Sequence, residues 1–291
     1  MNVKYSEIFF SFQGEAELAG KPSVWLRFFG CNLECNGFGQ TNPADENTWE
    51  LPYKDVDPDS ISNVEELPVF DKGCDSSYSW SFKFKHLCPS ETIEQVCDKF
   101  EAHLPGGKFV RDGYKTDTML CFTGGEPMLR QKHMVAIVEE LTSRNNRPKT
   151  ITIETNGTKP LLPLFKEFIE NNDDIRWHFA ISPKLLHTAG EKDAWKPETI
   201  LQYSDIVASS TSILKFVCNG TDESWNEIEN NMQELTEVFG ETDLPEVWVM
   251  PVGATKEQQE VISDIAVDAM DRGYFVATRN HAYVFGNQIG T

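Results

Sequence analysis

The sequence contains no long apolar run and has few cationic residues for its length. No run of 18 apolar residues occurs, so no membrane-spanning helix is predicted. Lys and Arg number 26 against 46 Asp and Glu, and the formal net charge of −20 disfavours direct binding to a nucleic-acid backbone. The first residues lack the apolar region of a signal peptide, and the seven cysteines are an odd number. We therefore expect a protein of the reducing cytoplasm.

Three of the cysteines form the most informative pattern of the chain. Three residues separate Cys31 from Cys35, and residues 36–73 separate Cys35 from Cys74. Three thiolates can bind three irons of a [4Fe–4S] cluster and leave the fourth iron open to a substrate. A zinc ion uses the same ligand, so a zinc-stabilised binding protein is the alternative from this pattern alone.

Two parts of the chain differ in composition. Residues 36–73 carry Asn, Asp and Glu throughout, and four prolines interrupt any regular element. We interpret this segment as an acidic surface insertion, with a short helix near residues 60–67, in a single domain of residues 1–291. From Ser90, the predicted N-cap of the first helix, helices alternate with strands, which predicts a mostly parallel sheet with helices outside it. The predicted strands are residues 5–10, 23–29, 118–122, 150–154, 177–181, 212–217, 246–250 and 274–278, and the predicted helices are residues 92–103, 133–144, 162–171, 224–239 and 256–272.

Three consecutive predicted strands end in polar, turn-forming residues. The first turn, residues 122–127, contains two glycines that let backbone approach a ligand, and its Glu126 can accept from an amino group. A tight turn that starts a helix at Pro127 is the structural alternative for this motif alone. Residues 153–158 and 181–184 end the next two strands. Because ligands bind at the C-terminal ends of parallel strands, we expect the functional site there.

Arg27 is a charged residue in an otherwise apolar predicted strand. Its burial is costly unless the charge is paired. A ligand carboxylate would pair with the guanidinium through two hydrogen bonds. The alternative is an ion pair with one of the 46 acidic residues of the chain.

These motifs occur in a defined order along the chain, which resembles that of a known family. They are Phe12-Gln13-Gly14-Glu15, Arg27, Cys31-x3-Cys35, Cys74-Asp75-Ser76, Thr123-Gly124-Gly125-Glu126-Pro127, Glu154-Thr155-Asn156-Gly157-Thr158, Ser182-Pro183-Lys184 and His281. This order resembles the 7-carboxy-7-deazaguanine synthases, which are radical S-adenosylmethionine (SAM) enzymes, over nearly the whole chain outside residues 36–73.

The cysteine motif departs from the usual form of that family, Cys-x3-Cys-x2-Cys followed by Asp-Thr. Phe38 stands where the third cysteine would fall, and Cys74 with its following Asp75 carries that signature, so the motif is split by an insertion. Gly73 stands where the family often has an aromatic residue near the adenine. That contact is either lost or supplied from elsewhere, for instance by residues 36–73.

The resemblance implies an incomplete (β/α) barrel that converts 6-carboxy-5,6,7,8-tetrahydropterin to 7-carboxy-7-deazaguanine with loss of ammonia. The implied cofactors are a [4Fe–4S] cluster, SAM and Mg²⁺, and the implied partners are an electron donor such as flavodoxin and a second copy of the chain. The resemblance assigns the cluster to Cys31, Cys35 and Cys74, Mg²⁺ to Ser76, SAM to Gly125, Glu126, Ser182, Pro183 and Lys184, and the pterin to Phe12, Gln13, Gly14, Arg27, Thr123, His281 and Thr291.

A second enzyme class would share part of this pattern. An activase that generates a glycyl radical on a partner protein would have the cysteines and the Gly-Gly-Glu-Pro turn. It would not require Gln13, Arg27 and residues 182–184 together.

Overall fold

The computed structural model describes residues 1–204, 206–240, 244–260 and 262–290. Thr291, predicted to bind substrate, lies outside them. Among the described residues, no helix is both long and apolar enough to cross a membrane. The strands are β1 Asn2–Phe12, β2 Pro22–Phe28, β3 Ser90–Thr92, β4 Met119–Gly124, β5 Thr150–Thr155, β6 Arg176–Ile181, β7 Ser210–Cys218, β8 Glu246–Pro251 and β9 Phe275–Val276. The α-helices are α1 Ile93–His103, α2 Gln131–Ser143, α3 Pro163–Glu170, α4 Leu186–Ala189, α5 Pro197–Gln202, α6 Asp222–Phe239, α7 Lys256–Gln259, α8 Ser263–Asp271 and α9 Asn280–Phe285.

Within the described residues, the strands form one sheet in the order β3-β1-β2-β4-β5-β6-β7-β8-β9. β1 pairs antiparallel with β2 and β3, and every pair from β2 to β9 is parallel. Different strands, β3 and β9, form the two ends of the order, so the sheet stays open. The predicted incomplete (β/α) barrel is confirmed.

The main hydrophobic core lies where apolar strand residues meet the apolar faces of the helices. In α1 the buried residues Ile93, Val96, Cys97 and Phe100 recur at helical spacing. Helices packed in this way leave the C-terminal ends of the strands free to form a site.

Some predicted boundaries were wrong because local hydrogen bonds override composition. The N-cap of α1 is Thr92, whose side chain and that of Gln95 form a capping box. Ser90 instead pairs with Lys4 in the sheet. The helix predicted over residues 256–272 is two helices, and Ile262 before the second one has non-helical angles, φ −113° and ψ 2°.

Residues 36–73 contain 3-10 turns in place of the predicted helix. Two of these turns, Pro58–Ser60 and Val64–Glu66, begin at Asp57 and Asn63, whose side chains accept from the backbone. The segment also supplies most of a second hydrophobic cluster, separate from the main core, that contains Tyr53, Val64, Leu67, Phe70, Tyr78 and Phe84.

Candidate active site

A cavity of about 300 Å³ lies at the C-terminal ends of the central strands. Its volume is at the lower end of the range found for small-molecule sites. Strands β4, β5, β7 and β8 and the turn that follows β6 contribute to its lining, as does segment 36–73. The lining residues from these parts include Thr123, Gly124, Thr155, Ser182, Val217, Met250, Phe38, Val69 and Asp71.

The three cysteines singled out in the sequence, Cys31, Cys35 and Cys74, are free thiols that line this cavity together. Burial raises the pKa of Cys31 to about 12 and also raises the pKa values of Cys35 and Cys74. A thiolate at these positions therefore needs nearby positive charge, which metal ions supply. The number and type of these side chains fit a [4Fe–4S] cluster, which binds each of three thiolates through a different iron.

A carboxylate that the sequence analysis missed holds the loop between Cys31 and Cys35. Glu191 Oε1 accepts from the backbone N–H of Glu34 at 2.9 Å and of Cys35 at 2.7 Å. Cys35 has φ +53°, in the left-handed region that few residues other than glycine adopt. A strained backbone held by an outside carboxylate is typical of a functional loop.

The motif that ends β5 contacts the same loop. Asn32 Nδ2 donates to Thr158 Oγ1 at 3.0 Å, and Asn156 Nδ2 donates to Asn32 Oδ1 at 3.3 Å. Asn156 Nδ2 also lies 4.0 Å from Cys31 Sγ. These side chains position Cys31 from the strand end.

The Gly-Gly-Glu-Pro turn after β4 packs directly against the cysteine loop. A Cβ atom added to Gly125 would lie 2.4 Å from the carbonyl oxygen of Gly30 and 2.7 Å from Cys31 Cβ. Only glycine permits this approach. Gly125 lines the cavity, as the SAM assignment requires.

The carboxylate of Glu126 is occupied by hydrogen bonds to its own turn and to the end of β5. Its carboxylate accepts from the N–H groups of Met128 and Asn156 and from the hydroxyl of Thr155, at 2.7 to 2.9 Å. The side chain is buried, which raises its pKa, and it is not among the described residues that line the cavity.

The motif after β6 reaches the cavity through two of its three residues. Ser182 and Lys184 line it, and Lys184 Nζ donates to Ser182 Oγ at 2.8 Å. Lys184 Nζ also lies 5.7 Å from the centre of the Phe38 ring. Pro183 is buried and is not among the described lining residues.

The residues predicted to contact the pterin meet on the other side of the cavity. Phe12, Gln13, Gly14, Thr123 and His281 all line it. A Cβ atom at Gly14 would lie 2.1 Å from His281 Nδ1, so glycine is required for α9 to pack there. Burial and the neighbouring Arg279 lower the pKa of His281 to about 4.

Arg27 lines the cavity and forms an ion pair with an acidic residue of the same chain. Its Nε donates to Glu7 Oε1 at 2.5 Å, and the Tyr78 hydroxyl donates to the same oxygen at 2.8 Å. Burial alone would lower the pKa of Arg27, but Tyr78 and Glu7 outweigh it and raise that pKa. The internal alternative is therefore realised at Nε.

A buried network of charges that sequence reasoning missed borders these residues. Lys215 is 3% exposed, and its Nζ donates to Glu15 Oε2 at 2.5 Å and Glu154 Oε2 at 2.9 Å. Gln13 Nε2 donates to Glu154 Oε1 at 2.8 Å. Burial alone would lower the pKa of Lys215, but the two carboxylates raise it. Lys215 interrupts an apolar strand as Arg27 does. The same sequence feature, a single charged residue in an apolar strand, could therefore have identified it.

Arg279 connects this network to the cysteine motif. It contacts Glu15 Oε1 at 3.2 Å and Asp75 Oδ2 at 2.7 Å. Asp75 lies between Cys74 and Ser76, and Ser76 Oγ lies 3.6 Å from Cys74 Sγ. Both Asp75 and Ser76 line the cavity.

No protein-family model matches the chain. It is 27% identical over 296 residues to 7-carboxy-7-deazaguanine synthase of Rhodopirellula baltica, which covers 98% of this chain and 88% of that protein. It is 24% identical over 291 residues to the protein of the same name from Pyrobaculum aerophilum, which covers 99% and 97% of the two chains. A stretch of 36 residues, 12% of this chain and 20% of the relative, is 54% identical to 7-carboxy-7-deazaguanine synthase of Bacteroides thetaiotaomicron.

The fold is similar to that of a solved structure. The crystal structure of QueE from Escherichia coli matches with a TM-score of 0.53 and 18% sequence identity, and the match covers 97% of this chain and 95% of that one. None of these relatives is named as a glycyl-radical activase or a zinc-binding protein. The relatives that span nearly the whole chain thus agree with its motifs, and over nearly its whole length the chain resembles the 7-carboxy-7-deazaguanine synthases, which are radical SAM enzymes.

Proposed function

We propose that this protein is a lyase that converts 6-carboxy-5,6,7,8-tetrahydropterin to 7-carboxy-7-deazaguanine with loss of ammonia, in the biosynthesis of queuosine-type 7-deazaguanines. The observation that carries this proposal is the meeting of Cys31, Cys35 and Cys74 with the predicted pterin-binding residues in one cavity. When bound, the cluster and SAM supply the radical that abstracts hydrogen from the substrate. The protein supplies position, charge and exclusion of water.

The cysteine side of the cavity holds the cluster and SAM in this proposal. Cys31, Cys35 and Cys74 bind the irons, and Glu191 keeps the loop of the first two in place. Gly125, Ser182 and Lys184 line the SAM site. Glu126 and Pro183 act by shaping the turns that carry these residues, since Glu126 is bonded to Met128 of its own turn and to Asn156 after β5, and Pro183 is buried.

Phe38 replaces the aromatic residue that is absent at Gly73 in this proposal. Gly73 N donates to the carbonyl oxygen of Phe38 at 2.7 Å, which places the two residues together although 34 residues separate them in the chain. The Phe38 ring lines the cavity beside Lys184. It would thus offer the adenine of SAM an apolar aromatic face.

The substrate side recognises the pterin by shape and charge. Phe12, Gly14 and Thr123 form the walls around the pterin ring system. The side-chain amide of Gln13 can hydrogen-bond to the ring. His281 contributes a neutral imidazole, because its pKa is lowered to about 4. The terminal nitrogens of Arg27 bind the substrate carboxylate. Thr291 joins this set in the proposal. Ser76 Oγ is an oxygen donor of the type that Mg²⁺ prefers, and it lies beside Cys74 at the cavity surface.

The remaining proposals concern organisation. We propose a cytoplasmic homodimer reduced by a carrier such as flavodoxin. Each subunit is a single domain of residues 1–291 in which residues 36–73 are an insertion. Segment 36–73 nevertheless contributes Phe38, Val69 and Asp71 to the cavity lining.

Anaerobic turnover tests the proposed function. Protein reconstituted with iron and sulfide is incubated with the carboxypterin, SAM and dithionite, and the products are separated by liquid chromatography with mass detection. We expect 7-carboxy-7-deazaguanine and 5′-deoxyadenosine to form together. Cleavage of SAM without the deazaguanine product, using this substrate, would refute the assignment.

A further inference from the structure

Glu191 connects two parts of the protein that lie far apart in the chain. Its Oε1 accepts from the backbone N–H groups of Glu34 and Cys35, although it is 156 positions from Cys35 in the sequence. It follows α4 and Gly190, whose φ of +77° ends that helix in the left-handed conformation. The carboxylate is therefore placed by the end of a short helix and not by the cysteine loop itself.

A close backbone contact fixes this helix end against the loop. Gly37 N donates to the carbonyl oxygen of Ala189 at 3.0 Å. A Cβ atom added to Gly37 would lie 2.5 Å from Gly190 N, so only glycine permits the approach. At the other end of α4, Glu227 accepts from the first two N–H groups of the helix at 2.8 and 2.9 Å. The carboxylate that follows α4 is thus held against the loop by a helix that is fixed at both ends.

The hydrogen bonds of the loop are distributed unequally between its two cysteines. Cys31 Sγ accepts from the backbone N–H of Leu33 at 3.4 Å. The N–H groups of Glu34 and Cys35 donate to Glu191 instead. Among the described residues, no cationic side chain forms an ion pair with Glu191 that would cancel its charge. A half-buried negative charge therefore lies beside Cys35, which is only 6% exposed.

We propose that Glu191 is a positioning residue that also lowers the reduction potential of the cluster bound through Cys35. This inference rests on the proposed function, because it requires Cys35 to be an iron ligand. Reduction adds one electron, taken from an external reductant, and no atoms are exchanged. A neighbouring negative charge opposes this gain of negative charge. Hydrogen bonds to the sulfurs would favour it, but the N–H groups next to Cys35 are used by Glu191.

A low potential suits the proposed reaction. Cleavage of SAM takes an electron from the cluster, so a strongly reducing cluster favours it. One carboxylate therefore has two effects: its hydrogen bonds fix the backbone of the ligand loop, and its charge makes the cluster a stronger reductant. The two effects can be separated by experiment, because glutamine can accept the same hydrogen bonds without carrying the charge.

The test compares three single substitutions in the reconstituted full-length enzyme. Glu191→Gln removes the charge and keeps an oxygen that can accept both hydrogen bonds. Glu191→Asp keeps the charge and shortens the side chain by a methylene group. Glu34→Gln is the matched control, since it removes a negative charge from the same loop at an exposed position. Iron and sulfide analysis gives the cluster content, and a titration with dithionite followed by electron paramagnetic resonance gives the midpoint potential in the absence of SAM.

We expect Glu191→Gln to assemble the cluster and to raise the equilibrium constant of its one-electron reduction about tenfold, which is a rise of about 59 mV in midpoint potential. The potential of Glu191→Asp should stay closer to that of the parent than to that of Glu191→Gln, because the charge remains. Glu34→Gln should change the equilibrium constant less than about threefold, since solvent and salt screen an exposed charge.

Two outcomes would overturn the inference. A midpoint potential of Glu191→Gln equal to that of the parent or of Glu34→Gln would show that Glu191 only holds the backbone. A rise in Glu191→Asp as large as that in Glu191→Gln would show that the charge is not the cause. Failure of the parent enzyme to form the deazaguanine product would instead refute the proposed function, while the potentials of the variants would still decide the role of Glu191.

Discussion

Segment 36–73 and the β/α part of the chain are ordered by different means. In α1, four buried residues at helical spacing and a capping box at Thr92 specify the helix locally. In segment 36–73, short turns capped by side chains such as Asp57 and Asn63 are joined by a small hydrophobic cluster. Both parts nevertheless line the same cavity. A segment without periodicity can therefore form part of a site wall when a few large apolar residues anchor it.

Replacement of the cysteines should have the largest effect on activity, because the cluster needs ligands from before and after segment 36–73. Cys31 and Cys35 follow β2, whereas Cys74 follows segment 36–73. Replacing any of the three with alanine should remove the iron–sulfur absorbance and SAM cleavage. Cys88→Ala and Cys97→Ala, at buried positions outside the cavity lining, should retain both. An intact cluster signal in Cys74→Ala with loss in Cys88→Ala would show that the ligand set is wrong.

Arg27 tests the cavity from the β/α side. Loss of a charged pair to the substrate carboxylate should cost about 2–5 kcal/mol of binding, so Arg27→Ala should lose product formation while still binding SAM. Glu7→Gln is the matched control, because it removes the internal ion pair but keeps the guanidinium. Saturation kinetics with the pterin and equilibrium dialysis with SAM separate the two effects. An unchanged substrate affinity in Arg27→Ala would assign the residue another role.

Two buried phenylalanines compare the stability of the two parts directly. Phe100 is fully buried in the main core, and Phe70 is 1% exposed in the cluster of segment 36–73. Truncation of a buried phenylalanine typically costs about 3–5 kcal/mol, which we expect in the global free energy of unfolding for Phe100→Ala. Phe70→Ala should instead open its segment locally, with a smaller global change.

Urea unfolding and limited proteolysis mapped by mass spectrometry measure this difference. We expect new cleavage sites within residues 36–73 in Phe70→Ala but not in Phe100→Ala. Equal losses of global stability in the two variants would show that the two clusters unfold as one unit.

Two histidines of the β/α part make the stability of that part depend on pH, and this is the smallest effect that we expect. Burial lowers the pKa of both His178 and His281 from 6.5 to about 4. Unfolding therefore takes up protons below pH 6.5, and the stability present above that pH is lost progressively as the pH falls toward 4. His178→Gln and His281→Gln should each flatten the decline of unfolding free energy between pH 7.5 and pH 5.

Affinity for the pterin substrate distinguishes the roles of the two histidines. His281 lines the cavity, whereas His178 bonds to Thr211 Oγ1 at 2.9 Å and is not among the described lining residues. Only His281→Gln should weaken pterin binding at pH 7.5. Equal pterin affinity in the two variants would remove His281 from the substrate site.

Most of the β/α fold could be predicted from the sequence, because its apolar residues recur with the period of the element they form. The long helices α1, α2 and α6 and all the described strands except β3, which was not predicted, lie within a few residues of their predicted ranges. Polar residues at the ends of β4, β5 and β6 also predicted the position of the cavity, because parallel strands bring those ends to one edge. The short helices α4, α5 and α9 were missed, since four to six residues carry too little periodicity to be recognised.

The sequence alone determined which residues are the candidates for the chemistry: the three cysteines, the arginine in an apolar strand and the glycine-containing turns. Only the tertiary structure decided their partners. Glu7 pairs with Arg27, Lys215 bonds to Glu15 and Glu154, and Glu191 holds the Cys35 loop. The physical reason is range: periodicity and turn chemistry act between neighbours in the chain, whereas a buried charge is stabilised by whichever opposite charge the fold brings to it.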